Sequence, residues 1–399
     1  MSLHTSVPIT ARKMWDANDV RAADGPFPGG EPDLRGEIHP DLIRYKGYWY
    51  CGLKEGHGAQ QDSTPLRRAR IIRSADGENW ESVKVLHHPA GLVSDLKFSI
   101  TGEGALMAAT NIQNPSAGKA PVHPAYPHLG PIRLWSVSWL TQDGLDWGTM
   151  YACPTGINAC RYSVSWYQGV GYSLAGGGRN PFGTLYRTGD GKNWHVMAQN
   201  VFAPWYAMRT DSAGHGSERD PNDYTQARRE PACIPTEGAL AFDETDGTAC
   251  AIVRTHPVFA ILGTASPPYY DNWTWRETTV DWNADDHPAP ACEKLGVQMG
   301  GPVLKYLSNG LLLAAGRADA STPGKPKGRL TLFLVDRDKG ILQRWGDFDG
   351  WSHYPGIVEH EGELWISCGR QQGSDPFEVY LLRVPIPQRQ AHGSADRAS

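Results

Sequence analysis

The segment Ser74-Ala75-Asp76-Gly77-Glu78-Asn79-Trp80 returns twice, as Thr141-Gln142-Asp143-Gly144-Leu145-Asp146-Trp147 and as Thr188-Gly189-Asp190-Gly191-Lys192-Asn193-Trp194. Its parts make physical sense as a hairpin turn. The Ser/Thr hydroxyl and the Asp carboxylate bond back to the turn's own backbone, and Gly takes the position with positive φ. The Trp then packs the next strand down. A weaker echo lies at Pro267–Trp275, and Asp336–Gly340 is another turn at an equivalent place. Any hairpin can use Asp-Gly, but three copies with one Trp offset point to a repeat.

Strand-like runs frame these turns. Pairs of runs joined by a Gly turn occur at Leu42–Cys51, Leu96–Ala109, Tyr162–Leu174, Ala239–Val253, Val303–Ala315 and Ile357–Ser367. A third or fourth run follows, such as Glu81–Leu86 or Arg276–Val280. Units of about four strands, recurring about every 50–75 residues, predict an all-β fold, a six-bladed β-propeller. The last unit, Pro355–Val384, is one strand short, and Ile9–Met14 is placed to supply it. An N-terminal strand closing the last blade leaves the ring without an open edge. Seven blades fit only if the long segment Phe202–Pro235 hides strands. Two stacked β-sandwiches would need a dividing linker, and none is visible. Residues 1–387 therefore read as a single propeller domain, and the polar stretch 388–399 reads as a disordered tail.

Composition narrows the class. Gly (45) and Pro (30) are abundant among 399 residues, charged residues make 20%, and hydrophobic residues make 40%, enough apolar surface to bury a core. No run of about 18 apolar residues suggests a membrane span. The net charge of −5 and the absence of a basic field speak against a nucleic-acid partner. The start, MSLHTSVPITARKMW, lacks a signal peptide's charged and apolar regions, so the chain as it stands reads as cytoplasmic. It would be secreted or periplasmic if a leader has been removed. Seven scattered Cys without a CxxC pair favour reduced thiols, with Cys153–Cys160 and Cys233–Cys250 as the pairs a bridge would use. The histidines show no metal-ligand spacing, and no cofactor is expected.

In a propeller the first strand of each blade lines the central channel. These strands begin near His39, Asp95, Arg161, Glu237, Gly301 and Tyr354, where a pure core would show Val or Ile. The second strands end near Lys54, Asn111, Arg254 and Arg317, and an Arg follows slightly later in the other two blades, as Arg179 and Arg370. Grouped guanidiniums are costly unless they meet anions. Together they read as a grip for a carboxylate, which Arg binds bidentately. A one-residue slip of register turns any one of them away. The segment Phe202–Pro235 interrupts the repeat and reads as a roof over the pocket or an oligomer contact, with Trp205-Tyr206 as a sugar platform.

Here the residues resemble a family. The first blade, Ile38-His39-Pro40-Asp41-Leu42-Ile43, then Gly47-Tyr48-Trp49-Tyr50-Cys51, then Arg70 to Trp80, is similar to the opening of the sialidases, whose repeated turn is the Asp-box. Glu237 opens a central blade, Arg254 and Arg317 each end a hairpin, and Tyr354 opens the last blade, which matches the order of the sialidase active site. The resemblance implies that Tyr354 is the nucleophile, Glu237 takes its proton, and Arg254 and Arg317, with Arg370, hold the substrate carboxylate. The anomeric carbon of such a sugar bears a carboxylate, which repels an anionic nucleophile; a phenol stays neutral until a base assists it. The match has gaps. The turn is one residue shorter, and Ile38-His39 stands where the family has the Arg of an Arg-Ile-Pro stretch. The acid Asp has its nearest counterpart in Asp62, with Glu55 and His57 as rivals.

A second resemblance is to propeller polysaccharide lyases and related rhamnosidases, which use His near the first blade. His39 and His57 begin one strand and end its neighbour, and a lyase needs a cation for the uronate carboxylate and a base for the C5 proton. A third reading is a non-catalytic glycan-binding propeller, since fold does not fix function. Each implies an acidic oligosaccharide or glycoside as partner.

Overall fold

The computed structural model describes residues 8–24, 39–56, 67–88, 91–114, 132–153, 156–176, 182–212, 234–256, 260–281, 298–319, 329–348, 351–370 and 378–388. Their strands form six sheets in chain order. Blade 1 is Asp41–Tyr45, Tyr48–Gly56, Arg67–Ser74 and Glu81–Leu86. Blade 2 has an inner strand in two pieces, Leu92–Val93 and Lys97–Ile100, then Leu106–Gln113, Leu134–Thr141 and Tyr151–Ala152. Blade 3 likewise begins in two pieces, Cys160–Arg161 and Ser165–Tyr167, followed by Val170–Gly176, Thr184–Thr188 and His195–Gln199. Blade 4 is Ile234–Phe242, Ala249–His256, Ala260–Ala265 and Thr274–Glu277. Blade 5 is Gln298–Tyr306, Leu312–Asp319, Arg329–Asp336 and Ile341–Phe348, with Thr279–Asp281 added in parallel on its outer edge. Blade 6 is Trp351–His360, Glu363–Arg370 and Glu378–Pro385, with Thr10–Trp15 outermost. Each inner strand packs against the next, and that of blade 6 against that of blade 1, so the sheets close into a six-bladed propeller.

The N-terminal strand closes the last blade, starting one residue later than Ile9. Thr10 lies opposite Arg383 and Lys13 opposite Tyr380. Met14, Trp15, Ala17 and Val20 then bury against Leu42, Trp49, Trp365 and Val379, which ties the chain start to both blades 6 and 1. Among the described residues there is no seventh blade. The segment after Phe202 forms a helix, Ala203–Ser212, and Phe202 and Trp205 sink into the core shared by blades 3 and 4. Trp205 is 1% exposed, so it anchors the helix and does not serve as a sugar platform. The rest of that segment, 213–233, lies outside the described residues, as does 389–399 of the expected tail.

The repeated turns show why their residues recur. In each, the Gly N–H donates to the Ser/Thr hydroxyl at 2.9 Å, and the Asp Oδ1 accepts two successive backbone N–H groups at 2.7–2.9 Å. Those bonds favour the charged carboxylate and hold Asp76, Asp143 and Asp190 below the ordinary range, although burial opposes them at Asp190. The glycines have φ of +77, +80 and +73°. They also touch the second strand of the preceding blade. A Cβ on Gly77 would lie 2.6 Å from Trp365 in blade 6, one on Gly191 would lie 2.8 Å from Met107 in blade 2, and one on Gly144 would overlap the Tyr50 hydroxyl in blade 1. The motif is thus a clasp between blades as well as a turn within one.

Among the described residues no helix is long and apolar enough to cross a membrane. Cys153 and Cys160 are both free thiols, and Cys233 lies outside the described residues.

Candidate active site

In blades 2 to 6 the inner strand breaks its regular pairing near its start. Blades 4, 5 and 6 carry bulges between Pro235 and Gly238, between Gly300 and Val303, and between Ser352 and Gly356. Blades 2 and 3 have gaps after Val93 and after Arg161. In blade 1, His39 precedes the strand with φ of +45°, an uncommon conformation that His tolerates better than most residues. A bulge bends the strand and re-aims a side chain. The residues at these strand starts are His39, Asp95, Tyr162, Glu237, Gly301 and Tyr354, and they meet at the centre with Lys54, Arg254 and Arg317 from the second strands.

Tyr354, 3% exposed, donates its hydroxyl proton to Glu237 Oε1 at 2.8 Å. Arg254 Nη1 donates to the Tyr354 oxygen at 3.0 Å and to both Glu237 oxygens at 3.2 Å. The Gly301 N–H closes the set, donating to Glu237 Oε2 at 2.8 Å. Gly is required here: its φ is +57°, and a Cβ would overlap the Tyr354 ring. Arg317 holds its guanidinium carbon 5.6 Å from the centre of that ring. Burial, reinforced by the Glu237 carboxylate, pushes the Tyr354 phenol far above its usual range, so it is neutral at rest. Burial would lower Arg254, but Glu237 and Tyr354 together outweigh it and raise the guanidinium.

His39 stacks on the Tyr354 ring. Its ring lies 3.9 Å from that of Tyr354, at 15°. Its Nδ1 makes a short contact with Asp95 Oδ1, and Lys54 Nζ reaches the same oxygen at 3.2 Å. Burial would raise Asp95, but His39 and then Lys54 outweigh it and hold the carboxyl well below its usual range. Tyr162 meets the Tyr354 ring edge-on at 5.8 Å, and Lys97 lies 5.1 Å above the Tyr162 ring. Beyond them a central cavity of about 1010 Å³ follows the inner strands past Asp41, Lys97, Ser165, Trp166 and Lys305. Neither Glu237 nor Tyr354 lines it.

The structure therefore brings together Tyr354, Glu237, Arg254, Arg317, His39, Asp95 and Lys54. Arg161 is placed elsewhere. Its guanidinium lies 3.7 Å from the Trp194 ring centre, between blades 2 and 3, and all three of its side-chain nitrogens are buried without a hydrogen bond among the described residues. Burial lowers it to about 10. The break in the inner strand puts the neighbouring Tyr162 at the centre instead, the one-residue slip that a bulge or gap produces. Arg370 ends its strand opposite Glu378 and stands beside Tyr380, whose hydroxyl donates to Glu378 at 2.8 Å. Glu55 is bound to Arg70 at 2.5 Å and to Arg68 at 2.8 Å, in a network with Asp24, and so is committed to blade 1. Asn111 ties the Arg161 carbonyl at 3.1 Å and bonds no anion. Asp62, His57 and Arg179 lie outside the described residues. Tyr162 and Gly301 escaped a reading by residue type; the only signal for Gly301 was its place at a strand start.

No protein-family model matches the chain. No curated protein matches it. Solved structures match its shape. A Trypanosoma rangeli sialidase, in complex with 2,3-difluorosialic acid as a covalent intermediate, superposes with a TM-score of 0.62 at 10% identity, over 95% of this chain and 60% of that one. The fold is a six-bladed propeller, as in that sialidase. Two further structures support this fold. A protein of unknown function from Dyadobacter fermentans matches with a TM-score of 0.63 at 14% identity, over 88% of this chain and 95% of that one. A Penicillium chrysogenum α-L-arabinanase complexed with arabinobiose matches with a TM-score of 0.53 at 12% identity, over 86% and 92%. At such identities the likeness of this propeller to these proteins is one of fold, and its chemistry is read from its own side chains.

Proposed function

We propose that this propeller is a retaining exo-glycosidase acting on a sugar that bears a carboxylate, in an acidic oligosaccharide or glycoside. The observation that carries the reading is the 2.8 Å hydrogen bond from the Tyr354 hydroxyl to Glu237, with Arg254 on the same phenol oxygen. A buried phenol is a poor nucleophile unless its proton has somewhere to go. Glu237 is placed to accept that proton, and Arg254 to stabilise the phenolate oxygen as the proton leaves. Tyr354 Oη then forms a bond to the anomeric carbon while the glycosidic C–O bond breaks, and the departing oxygen takes a proton from an acid. Asp62 is our choice for that acid. Water next gives a proton back to that acid as it attacks the same carbon; the bond to Tyr354 Oη breaks, and Glu237 returns the phenol's proton. Arg317, and Arg254 with its remaining donors, would hold the carboxylate, joined by Arg370 and Arg179.

The test is a panel of aryl glycosides of keto-acid sugars and uronic acids. Release of the phenol and a saturated sugar acid by the wild type, with at least a 10³-fold loss of kcat in Tyr354→Phe, is the expected outcome. The Asp95–His39 contact favours one other reading, proton abstraction by His39 in a lyase. An unsaturated product absorbing in the ultraviolet, with loss of activity in His39→Ala and not in Tyr354→Phe, would replace the first reading with the second. Binding of acidic glycans with no turnover would point to a glycan-binding module.

A further inference from the structure

The inner strands run from the catalytic centre to the first hairpin of each blade, and the central cavity of about 1010 Å³ belongs to their far end. Its lining reaches the hairpin residues Glu244, Thr245, Ser308 and Gly310, all exposed. The first hairpin of every blade lies among the described residues. Inside this mouth the charges do not balance. Lys97 is 5% exposed and meets Asp41 Oδ1 at 3.4 Å, while the other Asp41 oxygen accepts the Phe98 N–H at 2.6 Å. Lys305 lines the same cavity, half-buried, and makes no ion pair or hydrogen bond among the described residues. The carboxylates near it are Glu359, which accepts the Ser308 N–H at 2.8 Å, and Asp41, already bound to Lys97. Burial lowers Lys305 and neither carboxylate restores it, the direction of an ammonium buried without its own anion. Other lining charges are engaged: Arg44 donates to His360 Nδ1 at 2.7 Å, and Asp243 accepts from Arg337 at 3.1 Å. Two ammoniums thus share one carboxylate in the depth of the channel.

We propose that this channel is a second binding site, for a small sugar acid that enters from the hairpin face and sets its carboxylate between Lys97 and Lys305. Water fills a polar channel but does not neutralise a buried cation; an anion does. The lining selects the class. The volume is that of a small-molecule site and far exceeds a single ion. The Ser163 and Ser165 hydroxyls donate to the Gly238 and Leu240 carbonyls at 3.1 and 2.6 Å, so what they offer a ligand is their acceptor lone pairs. With Asp41 these suit the hydroxyl groups of a ligand. Cations for a carboxylate beside acceptors for hydroxyls describe a polyhydroxy acid. Inorganic phosphate would meet the lysines and leave the rest of the cavity to water. The site stands apart from the chemistry at Tyr354 and does not depend on it.

The experiment is an NMR titration of the full chain carrying isotope-labelled lysine. The Lys305, Lys97 and Lys54 side-chain signals are each assigned by their absence in the corresponding Lys→Met variant. Lys54 reports the catalytic centre, where it lies 3.2 Å from Asp95 Oδ1. Glucuronate should shift the Lys305 and Lys97 signals together and saturably, with a Kd on the order of 1 mM. Neutral glucose should leave them in place, and inorganic phosphate should bind at least about tenfold more weakly. In Lys305→Met the Lys97 shift should need about tenfold more glucuronate, and Lys305→Arg, which keeps the charge, should restore much of the affinity. Lys305→Met removes an unpaired buried charge, so its thermal melt should not fall. A Lys305 signal unmoved by glucuronate, moved equally by glucose, or saturated equally well by phosphate overturns the proposal. So does an unchanged Lys97 titration in Lys305→Met. A Lys305 shift that follows the Lys54 curve and disappears in Arg317→Met would place the sugar acid at the catalytic centre and overturn it too. No turnover is read, so a failure of the glycosidase reading at Tyr354 leaves this result standing.

Discussion

Tyr354 and Glu237, 117 residues apart in the chain, share a 2.8 Å hydrogen bond across the propeller axis. They come from the inner strands of blades 6 and 4, and the blade between them supplies Gly301, whose N–H fixes the far oxygen of Glu237. Three consecutive bulges build one site. No single blade contains it, so its geometry depends on closure of the whole ring.

Arg254 and Glu237 are coupled charges, with side chains 10% and 16% exposed. Removing one partner leaves the other buried and unpaired. Arg254→Met should cost about 3 kcal/mol in urea denaturation. Adding Glu237→Gln should restore part of that, giving a coupling of about 1–2 kcal/mol in the double-mutant cycle. Strictly additive losses would show that the pair does not act as a unit.

Gly301→Ala tests the bulge of blade 5. The new methyl would overlap the Tyr354 ring, and the φ of +57° is unfavourable for Ala. Displacing the nucleophile by about 1 Å should lower kcat at least 10²-fold. The same change should cost about 2–4 kcal/mol in the melt. Unaltered turnover would mean that Tyr354 is not where the chemistry occurs.

Asp95 gives a pH signature. Its folded-state carboxyl is held well below the usual range, because His39 and Lys54 outweigh the burial that would raise it. A depressed group adds stability in full above its unfolded value and loses it as pH falls toward the folded one. Asp95→Asn should therefore be less stable than wild type by about 2 kcal/mol at neutral pH, and the gap should close below about pH 4. Denaturation midpoints measured from pH 3 to 8 check both halves of this expectation.

Arg161 gives the opposite control. Its guanidinium is buried on Trp194 without a hydrogen bond among the described residues. Met matches its length and avoids the cost of an unpaired buried charge. Arg161→Met should be neutral or stabilising by up to about 2 kcal/mol. It should also leave kcat/KM within about twofold, as expected of a residue away from the site. A large loss of substrate affinity would return Arg161 to the site.

Much of the fold was legible because turn chemistry is local. Ser74, Asp76 and Gly77 satisfy one another within four residues, so their spacing survives without tertiary context. The missing strand of the last blade was legible too, because a ring of sheets has to close and Thr10–Trp15 was the strand left over. The inner-strand starts stood out as chemical residues where apolar ones belong, and this found His39, Asp95, Glu237 and Tyr354. What escaped was direction. Whether Arg161 or Tyr162 faces the axis depends on a gap in strand pairing that leaves no mark in residue type.

Partnership was also beyond a linear reading. Arg254 looked like an open cation for substrate; in the fold it is shared with Glu237 and Tyr354. His39 stacks on a residue from the far end of the chain, and Trp205 turns inward to hold a helix. The repeat, the strand count and the residue types at the strand starts follow from local bonding and are determined by the sequence alone. Which side chains meet, and which charges cancel before a ligand arrives, was decided only when six separate sheets were brought within hydrogen-bonding distance of one axis.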